Sequence, residues 1–258
     1  ASYTGGMYFG EDAVILTDLH QPLVHEDVTV WGMPFRTAES GETLYYLRSI
    51  APRMDPDRTH ILLYHGELLD AFFSRRDFGD EGDERYMPVR LAYFDDLPID
   101  YVLAGHFHKR FDVRRLERGG YFVYPGSPVS ITKRETGQRR VNLFEVGNPP
   151  REHPLDTPHF EEVTIACDPF SPTPPLEAVK GRLQSLHPHA RVILTVTGFI
   201  NGEATGMSEE ELAQWITRLV RDRCAEPPHY EFRDIRQILE NDLFQGFLKR
   251  LERTDYHE

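Results

Sequence analysis

The chain has 258 residues, of which 29 are basic and 42 are acidic, so its formal net charge is −13 at pH 7. This length allows one large domain or two ordinary ones. With 40% hydrophobic and 28% charged residues, the composition is that of a globular protein and argues against wholesale disorder. No apolar run approaches the roughly 20 residues of a membrane helix. Two cysteines cannot build a disulfide framework, so we expect a reducing, cytoplasmic setting.

The first hundred residues alternate strand-like runs with a helical pattern. Ala13–Thr17, Val28–Gly32 and Ile61–Tyr64 are rich in β-branched or aromatic residues, and each run predicts a strand. Between the last two, Glu42–Ile50 has the apolar spacing of a short helix. This alternation predicts an α/β layered fold. The acidic, glycine-containing segment Asp77–Glu84 predicts an exposed loop.

Two hairpins are predicted in the middle of the chain. Tyr101–Gly105 predicts a further strand that ends in a turn. Phe111–Leu116 and Tyr121–Tyr124 flank a glycine pair and predict a hairpin. Ser130–Arg134 and Arg139–Val146 predict a second hairpin.

A proline-rich segment separates this part from the remainder of the chain. Residues 148–158 include Pro149, Pro150, Pro154 and Pro158, which is typical of a connector. We therefore expect a first domain at 1–150, a linker at 151–158 and a second domain at 159–258.

The second domain has the pattern of a smaller α+β unit. Strands are predicted at Phe160–Ile165 and Val192–Thr197, with a helix at Leu176–Leu186. Ser208 and Glu211 have the spacing of a capping box that begins another helix. Two helical stripes of apolar residues are expected in the core: Leu212, Trp215, Ile216, Leu219 and Val220, and then Leu243, Phe244, Phe247, Leu248 and Leu251.

Three histidines stand where predicted strands end. His65 follows one strand, and His106 and His108 follow Gly105 at the end of the next. Extended residues two apart point to the same side, so His106 and His108 can converge on one place. Sites in open α/β sheets form at the carboxyl ends of strands, and imidazole is the commonest metal ligand. The pattern indicates a metal site, with hydrogen-bonded structural histidines as the alternative.

A basic segment lies inside the acidic chain. Residues 101–150 hold 9 basic and 4 acidic side chains, whereas the stretches on either side are net acidic. Lys109 and Arg110 directly follow the histidine pair, so we expect them to bind the phosphate backbone of a substrate. Four further basic residues are carried by the second predicted hairpin: Lys133, Arg134, Arg139 and Arg140. These four either share that role or form a solvated face.

The order of these features resembles the calcineurin-like metallophosphoesterases. A strand ending in His65-Gly66 is followed by Gly105-His106-Phe107-His108, a hairpin and Tyr124-Pro125-Gly126-Ser127-Pro128. The last loop and the added C-terminal domain are most similar to the SbcD-type DNA-repair nucleases. The resemblance covers residues 10–145 as the second half of the phosphoesterase core. It covers residues 159–258 more loosely, as the capping domain of those nucleases.

The resemblance implies a fold, a metal site and partners. The core would be part of a metallophosphoesterase β-sandwich flanked by helices, with a smaller α+β capping domain. His65 and His106 would bind one metal ion and His108 another, with Mn²⁺ as the usual metal. Two such ions clamp a phosphodiester and supply the attacking hydroxide. DNA, an SMC-like coiled-coil ATPase and a second copy of the nuclease are the implied partners.

The chain departs from the family in the motifs that should precede His65. Those motifs, Asp-x-His, Gly-Asp and Gly-Asn-His, carry the bridging Asp and the catalytic His, and the chain contains no Asn-His. Asp18-Leu19-His20 imitates the first motif, but only 44 residues separate His20 from His65, so we interpret both as loop residues. We therefore expect a fragment that lacks the N-terminal motifs. Its catalytic His is unknown, and we expect little nuclease activity from this polypeptide alone.

Two other functions are compatible with the sequence. One is a calcineurin-like phosphoesterase that acts on nucleotides or small phosphoesters, although the Tyr-Pro-Gly-Ser-Pro loop and the capping domain argue against it. The other is a non-catalytic assembly or DNA-binding subunit, which applies if the natural start lies near Ala1.

Overall fold

The computed structural model describes residues 10–70 and 86–252, apart from the side chains of Leu243 and Glu252. The chain divides into two compact units. The first unit holds the residues up to Glu135 together with Arg139–Leu155, and the second holds Thr136–Gln138 and the residues from Asp156 onward. Each unit combines a β-sheet with helices, which confirms the general α/β class predicted from the sequence. The predicted loop Asp77–Glu84 lies outside the described residues.

A six-stranded sheet organises the first unit. Its strands, in chain order, are β1 (Leu23–His25), β2 (Val28–Gly32), β3 (Thr59–His65), β4 (Tyr101–Gly105), β5 (Asp112–Arg115) and β6 (Tyr121–Tyr124). The spatial order is β1-β2-β3-β4-β6-β5. The four central strands run parallel, whereas β1 and β5 pair antiparallel at the two sides. The carboxyl ends of β2, β3, β4 and β6 therefore share one edge, where α/β sheets commonly form their sites.

Among the described residues, one helix and two short 3-10 turns cover this sheet. The helix α1 (Ser40–Ile50) begins with a capping box between Glu39 and Glu42, and Leu47 and Ile50 are buried on its inner side. The 3-10 turns lie at Ala51–Arg53 and Leu91–Phe94. Apolar residues of β2, β3, β4 and β6 fill the core beneath them: Trp31, Leu62, Tyr64, Val102, Ala104, Phe122 and Tyr124.

Some predicted strands are wrong. Residues 13–17 form no strand, and Val14 and Ile15 remain exposed, so their apolar pattern is not used for packing. Ser130–Arg134 forms bends and turns instead of a hairpin arm. Its polar groups bind Glu135, because the Ser130 hydroxyl donates to the Glu135 carbonyl and the Ile131 amide donates to its carboxylate. Such local side-chain bonds compete with strand pairing.

The strand that follows has a different partner from the predicted one. β7 (Arg140–Leu143) pairs antiparallel with β8 (Arg151–Pro154). β8 lies in the proline-rich segment that the sequence predicts as a linker. The division between the two units falls after β8, between Leu155 and Asp156.

The second unit is built on three parallel strands in the order β11-β10-β9. They are β9 (His159–Cys167), β10 (Ala190–Ile200) and β11 (His229–Asp234). Its helices are α2 (Pro175–Gln184), α3 (Gly202–Thr205), α4 (Glu209–Val220), α5 (Arg236–Leu239) and α6 (Asp242–Glu252). The predicted capping box of α4 is confirmed: the Ser208 hydroxyl accepts from the Glu211 amide at 3.2 Å, and the Glu211 carboxylate accepts from the Ser208 amide at 2.9 Å.

The core of the second unit uses fewer apolar helix positions than predicted. Leu212, Ile216 and Val220 of α4 are buried, spaced four residues apart along one side of the helix. Trp215 and Leu219 lie on the shoulder of that side and are exposed, which corrects the prediction that they are core residues. Phe247 and Leu251 of α6 are exposed as well, so the prediction that they are core residues is also wrong. Across the described ranges, no helix is long and apolar enough to cross a membrane.

Candidate metal centre

His65 and His106 meet at the carboxyl edge of the first sheet. β3 and β4 are parallel neighbours whose register pairs His65 with Gly105, so His106 follows directly at the next strand end. The two imidazole rings lie 5.7 Å apart between centroids, in a T-shaped arrangement. His65 and His106, which the sequence places at the ends of two strands, are therefore close together in the structure.

The backbone around this pair is shaped to hold it. A Cβ at Gly105 would lie 2.8 Å from Nδ1 of His65, so the glycine provides the space in which the His65 ring sits. His106 has a φ of 117°, a conformation that a residue other than glycine rarely adopts. Such strain costs about 1–3 kcal/mol and is concentrated at functional sites.

Aromatic side chains distant in the sequence border the histidine pair. The ring of Phe35, which follows the end of β2, lies 6.1 Å from His65, and the ring of Tyr86 lies 5.4 Å from His106. Phe35 and Tyr86 also contact each other, at 5.2 Å between centroids. Sequence reasoning missed both residues. The position of Phe35 just beyond a strand end was an available signal, whereas nothing marked Tyr86.

His108 is oriented by a buried carboxylate. Its Nδ1 lies 3.1 Å from Oε1 of Glu135, a residue that is only 1% exposed. The other carboxylate oxygen accepts from the Ser127 hydroxyl at 3.1 Å and the Ile131 amide at 2.9 Å. A carboxylate acceptor requires the proton on Nδ1, which makes Nε2 the ring atom with the lone pair. This is the outer-shell arrangement that orients metal-binding histidines.

Arg139 holds the turn that carries His108. This arginine is 2% exposed, and it donates to the backbone carbonyls of His108, Ser127 and Glu135, the last two at 3.1 and 3.0 Å. Burial lowers the pKa of Arg139, and the Glu135 carboxylate partly offsets that effect. The prediction that Arg139 either binds phosphate or lies on a solvated face is therefore wrong, because its guanidinium is buried and binds backbone carbonyls.

The remaining basic residues lie on the surface. Arg140 pairs with Glu152 across the β7–β8 ladder at 3.4 Å. Lys133 and Arg134 are exposed, Arg110 is exposed and Lys109 is half-buried. Lys109 and Arg110 keep their position directly after His108, and their contact with a phosphate backbone stays a prediction.

The Tyr-Pro-Gly-Ser-Pro loop contacts the histidine turn through its backbone. The Ser127 amide donates to the carbonyl of His108 at 3.0 Å. Gly126 has a φ of 80°, and a Cβ there would lie 3.0 Å from the same carbonyl. The loop therefore requires a glycine at this position to approach the turn closely.

Asp18 and His20 form a local turn. The Asp18 carboxylate accepts from the His20 amide at 2.8 Å and from the Gln21 side chain at 3.0 Å. Nε2 of His20 lies 3.5 Å from the Ser49 hydroxyl. These are the bonds of an Asx turn, in keeping with the interpretation of both as loop residues.

The three predicted histidine ligands fit a divalent metal site only in part. In the described ranges, a single group of three or more His, Cys, Asp or Glu side chains has ligand atoms all within 4.8 Å of one another, and it lies in the second unit. His65, His106 and His108 do not form such a group. Adjacent imidazoles suit a borderline divalent ion, whereas Mn²⁺ also favours carboxylate oxygen.

Comparison with protein-family models and with curated proteins found no match to this chain. The relationship to SbcD-type nucleases therefore stays a prediction from the motifs.

Proposed function

We propose that the first unit carries part of the two-metal site of an SbcD-like DNA nuclease. The observation that carries this proposal is the meeting of His65 and His106 at the carboxyl edge of a parallel sheet. The strained backbone of His106 supports it, because the fold maintains a costly conformation at that point.

The metal-binding roles follow from the arrangement of the three histidines. His65 and His106 would hold one divalent ion, and His108, oriented by Glu135, would hold the other. Bound divalent ions of this kind stabilise charge on a phosphodiester and lower the pKa of bound water. Mn²⁺ is the proposed metal.

Other residues of the chain would position the substrate and the site. Arg139 fixes the turn that carries His108 through its carbonyl contacts. Lys109 and Arg110, next in the chain, would neutralise backbone phosphates of DNA, a contact that gives affinity without sequence preference. An SMC-like ATPase and a second copy of the protein are the proposed partners.

Three imidazoles are too few ligands for two octahedral ions, because each ion favours several oxygen donors as well. We therefore expect residues 1–258 alone to bind Mn²⁺ weakly and to cleave DNA slowly. The complete gene product is the form in which the proposed activity should be measured.

The test compares hydrolysis of linear duplex DNA with hydrolysis of bis-4-nitrophenyl phosphate by the complete gene product in Mn²⁺. We expect DNA degradation that falls at least about a hundredfold in H65Q and H106Q, more than the loss of an outer-shell partner causes. H229Q, which alters an exposed histidine of the second unit, is the control and should leave the rate unchanged.

Three outcomes would contradict the proposal. DNA binding without hydrolysis would favour an assembly or DNA-binding subunit. Hydrolysis of the small diester without DNA cleavage would favour a different phosphoesterase. DNA cleavage that is unaffected in H106Q would remove the histidine pair from the reaction.

A further inference from the structure

A second group of potential metal ligands lies in the second unit. Asp156 precedes β9, and His187 and His189 lie in the turn between α2 and β10. Oδ1 of Asp156 lies 3.2 Å from Nε2 of His187 and 3.2 Å from Nδ1 of His189. One ligand atom from each residue lies within 4.8 Å of the other two. All three belong to the second unit.

The distances are close to those around one tetrahedral ion. Zn–N and Zn–O bonds of about 2.1 Å at a tetrahedral angle separate two ligand atoms by about 3.4 Å. The two nitrogen–oxygen distances of 3.2 Å therefore need only a small adjustment to receive an ion. The group is also accessible, because the side chains of Asp156 and His189 are 79% and 50% exposed.

The turn that carries the two histidines is held from several sides. Arg223 donates to the carbonyl of His187 at 3.0 Å, and the Ala190 amide donates to the same carbonyl at 3.0 Å. The buried ring of His159 lies 5.2 Å from the His187 ring. Pro188 fixes its own φ between the two histidines. A turn held in this way loses little freedom when a ligand binds, which favours affinity.

One contact opposes metal binding and limits the affinity. Nδ1 of His187 accepts a hydrogen bond from the His189 amide at 3.2 Å, so in the neutral ring Nε2 carries the proton and donates to Asp156. His189 also approaches the Asp156 carbonyl, at 3.4 Å. An ion on Nε2 of His187 requires the other tautomer, which gives up the bond from the amide.

We propose that Asp156, His187 and His189 bind a borderline divalent transition-metal ion of the Zn²⁺ class, with water completing its coordination. Two imidazoles and one carboxylate are donors that suit Zn²⁺, Co²⁺ or Ni²⁺, whereas Mg²⁺ and Ca²⁺ favour oxygen alone. The ion would join the segment before β9 to the α2–β10 turn. Because it binds the folded chain, it stabilises the second unit against unfolding.

The test is calorimetric titration of the metal-depleted full chain with Zn²⁺. We expect a Zn²⁺ binding event that is at least about tenfold weaker in D156N and in H189Q, since changing even a partner of a metal ligand costs about tenfold in affinity. H229Q is the matched control, because His229 is also an exposed histidine of the second unit beside a carboxylate, that of Glu231. That pair supplies one imidazole, whereas the proposed site supplies two. It should bind Zn²⁺ as the unchanged chain does.

A double variant, H65Q/H106Q, separates this site from the one proposed in the first unit. The Zn²⁺ event should persist in that variant. There Zn²⁺ should raise the unfolding temperature, and the rise should be smaller when H189Q is added but unchanged when H229Q is added. Circular dichroism in EDTA checks that each variant is folded. Equal affinity in D156N, H189Q and the unchanged chain would overturn the proposal, as would loss of the event in H65Q/H106Q with retention in H189Q.

Discussion

The two histidine groups of this chain differ in what holds them. His65, His106 and His108 lie at the edge of a parallel sheet, where a glycine, a strained backbone and a buried carboxylate fix their positions. His187 and His189 lie in an exposed turn, and a nitrogen of each lies 3.2 Å from the same carboxylate oxygen of Asp156. The three ligand atoms all lie within 4.8 Å of one another. Strand-end position and ligand geometry are therefore separate properties, and either can occur without the other.

The difference extends to the charges around each group. Around His108 the carboxylate of Glu135 and the guanidinium of Arg139 are both buried, so they are part of the core. Around His187 and His189 the carboxylate of Asp156 is open to solvent. Substitutions near the first group should therefore cost more folding free energy than substitutions near the second.

The largest expected effect is the loss of Arg139. R139A leaves the carbonyls of His108, Ser127 and Glu135 without the donor they share. Because each buried acceptor left without a donor costs about 1–3 kcal/mol, the variant should lose about 3–5 kcal/mol of unfolding free energy. R140A, which removes the exposed partner of Glu152, should change stability by no more than about 0.5 kcal/mol. Urea unfolding of both variants is the measurement. Equal midpoints for the two would show that Arg139 is not a structural cation.

A smaller effect is expected from the strained backbone at His106. Alanine and glycine both remove the ring, but only glycine adopts a φ of 117° without strain. H106G should therefore be more stable than H106A by about 1–3 kcal/mol, the reverse of the usual order. Chemical denaturation of the pair measures this difference, and an alanine variant at least as stable as the glycine variant would show that the site stores no such strain.

Buried tyrosines of the first unit and paired carboxylates of the second should make stability depend on opposite extremes of pH. In the first unit, burial raises the pKa values of Tyr64 and Tyr124 well above 10.0. Their contribution to stability is present below the unfolded pKa and is lost as the pH rises above about 10, by up to about 1.4 kcal/mol per pH unit for each group.

Two carboxylates of the second unit have the reverse sign. The Arg236 guanidinium lowers the pKa of Asp234 from 3.8, and the Ser208 amide lowers that of Glu211 from 4.5. Their contribution is present above those ordinary values and is lost as the pH falls below about 4.

The two tryptophans allow these responses to be separated. Trp31 is buried in the first unit and Trp215 is exposed in the second, so W215F leaves fluorescence that reports on the first unit alone. In that variant we expect the unfolding free energy to decline above pH 10, with a shallower decline in Y124F. The same slope in both variants would contradict the assignment to Tyr124.

D234N should reduce the acid dependence of far-ultraviolet circular dichroism.

The sequence predicted the centre of the first sheet well, because its strands are determined by local composition. Val28–Gly32 and Tyr101–Gly105 agree with the observed bounds. Since parallel strands end at one edge, the meeting of His65 and His106 followed from their places in the chain. The capping box of Ser208 and Glu211 is likewise a local pattern that survives folding.

The remainder depended on contacts that a local pattern does not contain. Glu135 and Arg139 look like surface residues in the sequence, and only the fold shows that they are buried partners of the His108 turn. Asp156 and His187 are 31 positions apart, with no periodicity that relates them. Trp215 fits the helical stripe, but the sheet covers only the inner side of α4.

Binding of a divalent metal at the carboxyl edge of the first sheet, for phosphodiester chemistry, is the main proposal for this chain. Its most direct test is Mn²⁺ titration of the full chain, followed by the electron paramagnetic resonance signal of free Mn²⁺, in the unchanged chain, H106Q and H189Q. We predict weak Mn²⁺ binding that is at least about tenfold weaker in H106Q and unchanged in H189Q. Mn²⁺ binding that is equal in the unchanged chain and H106Q would contradict this proposal.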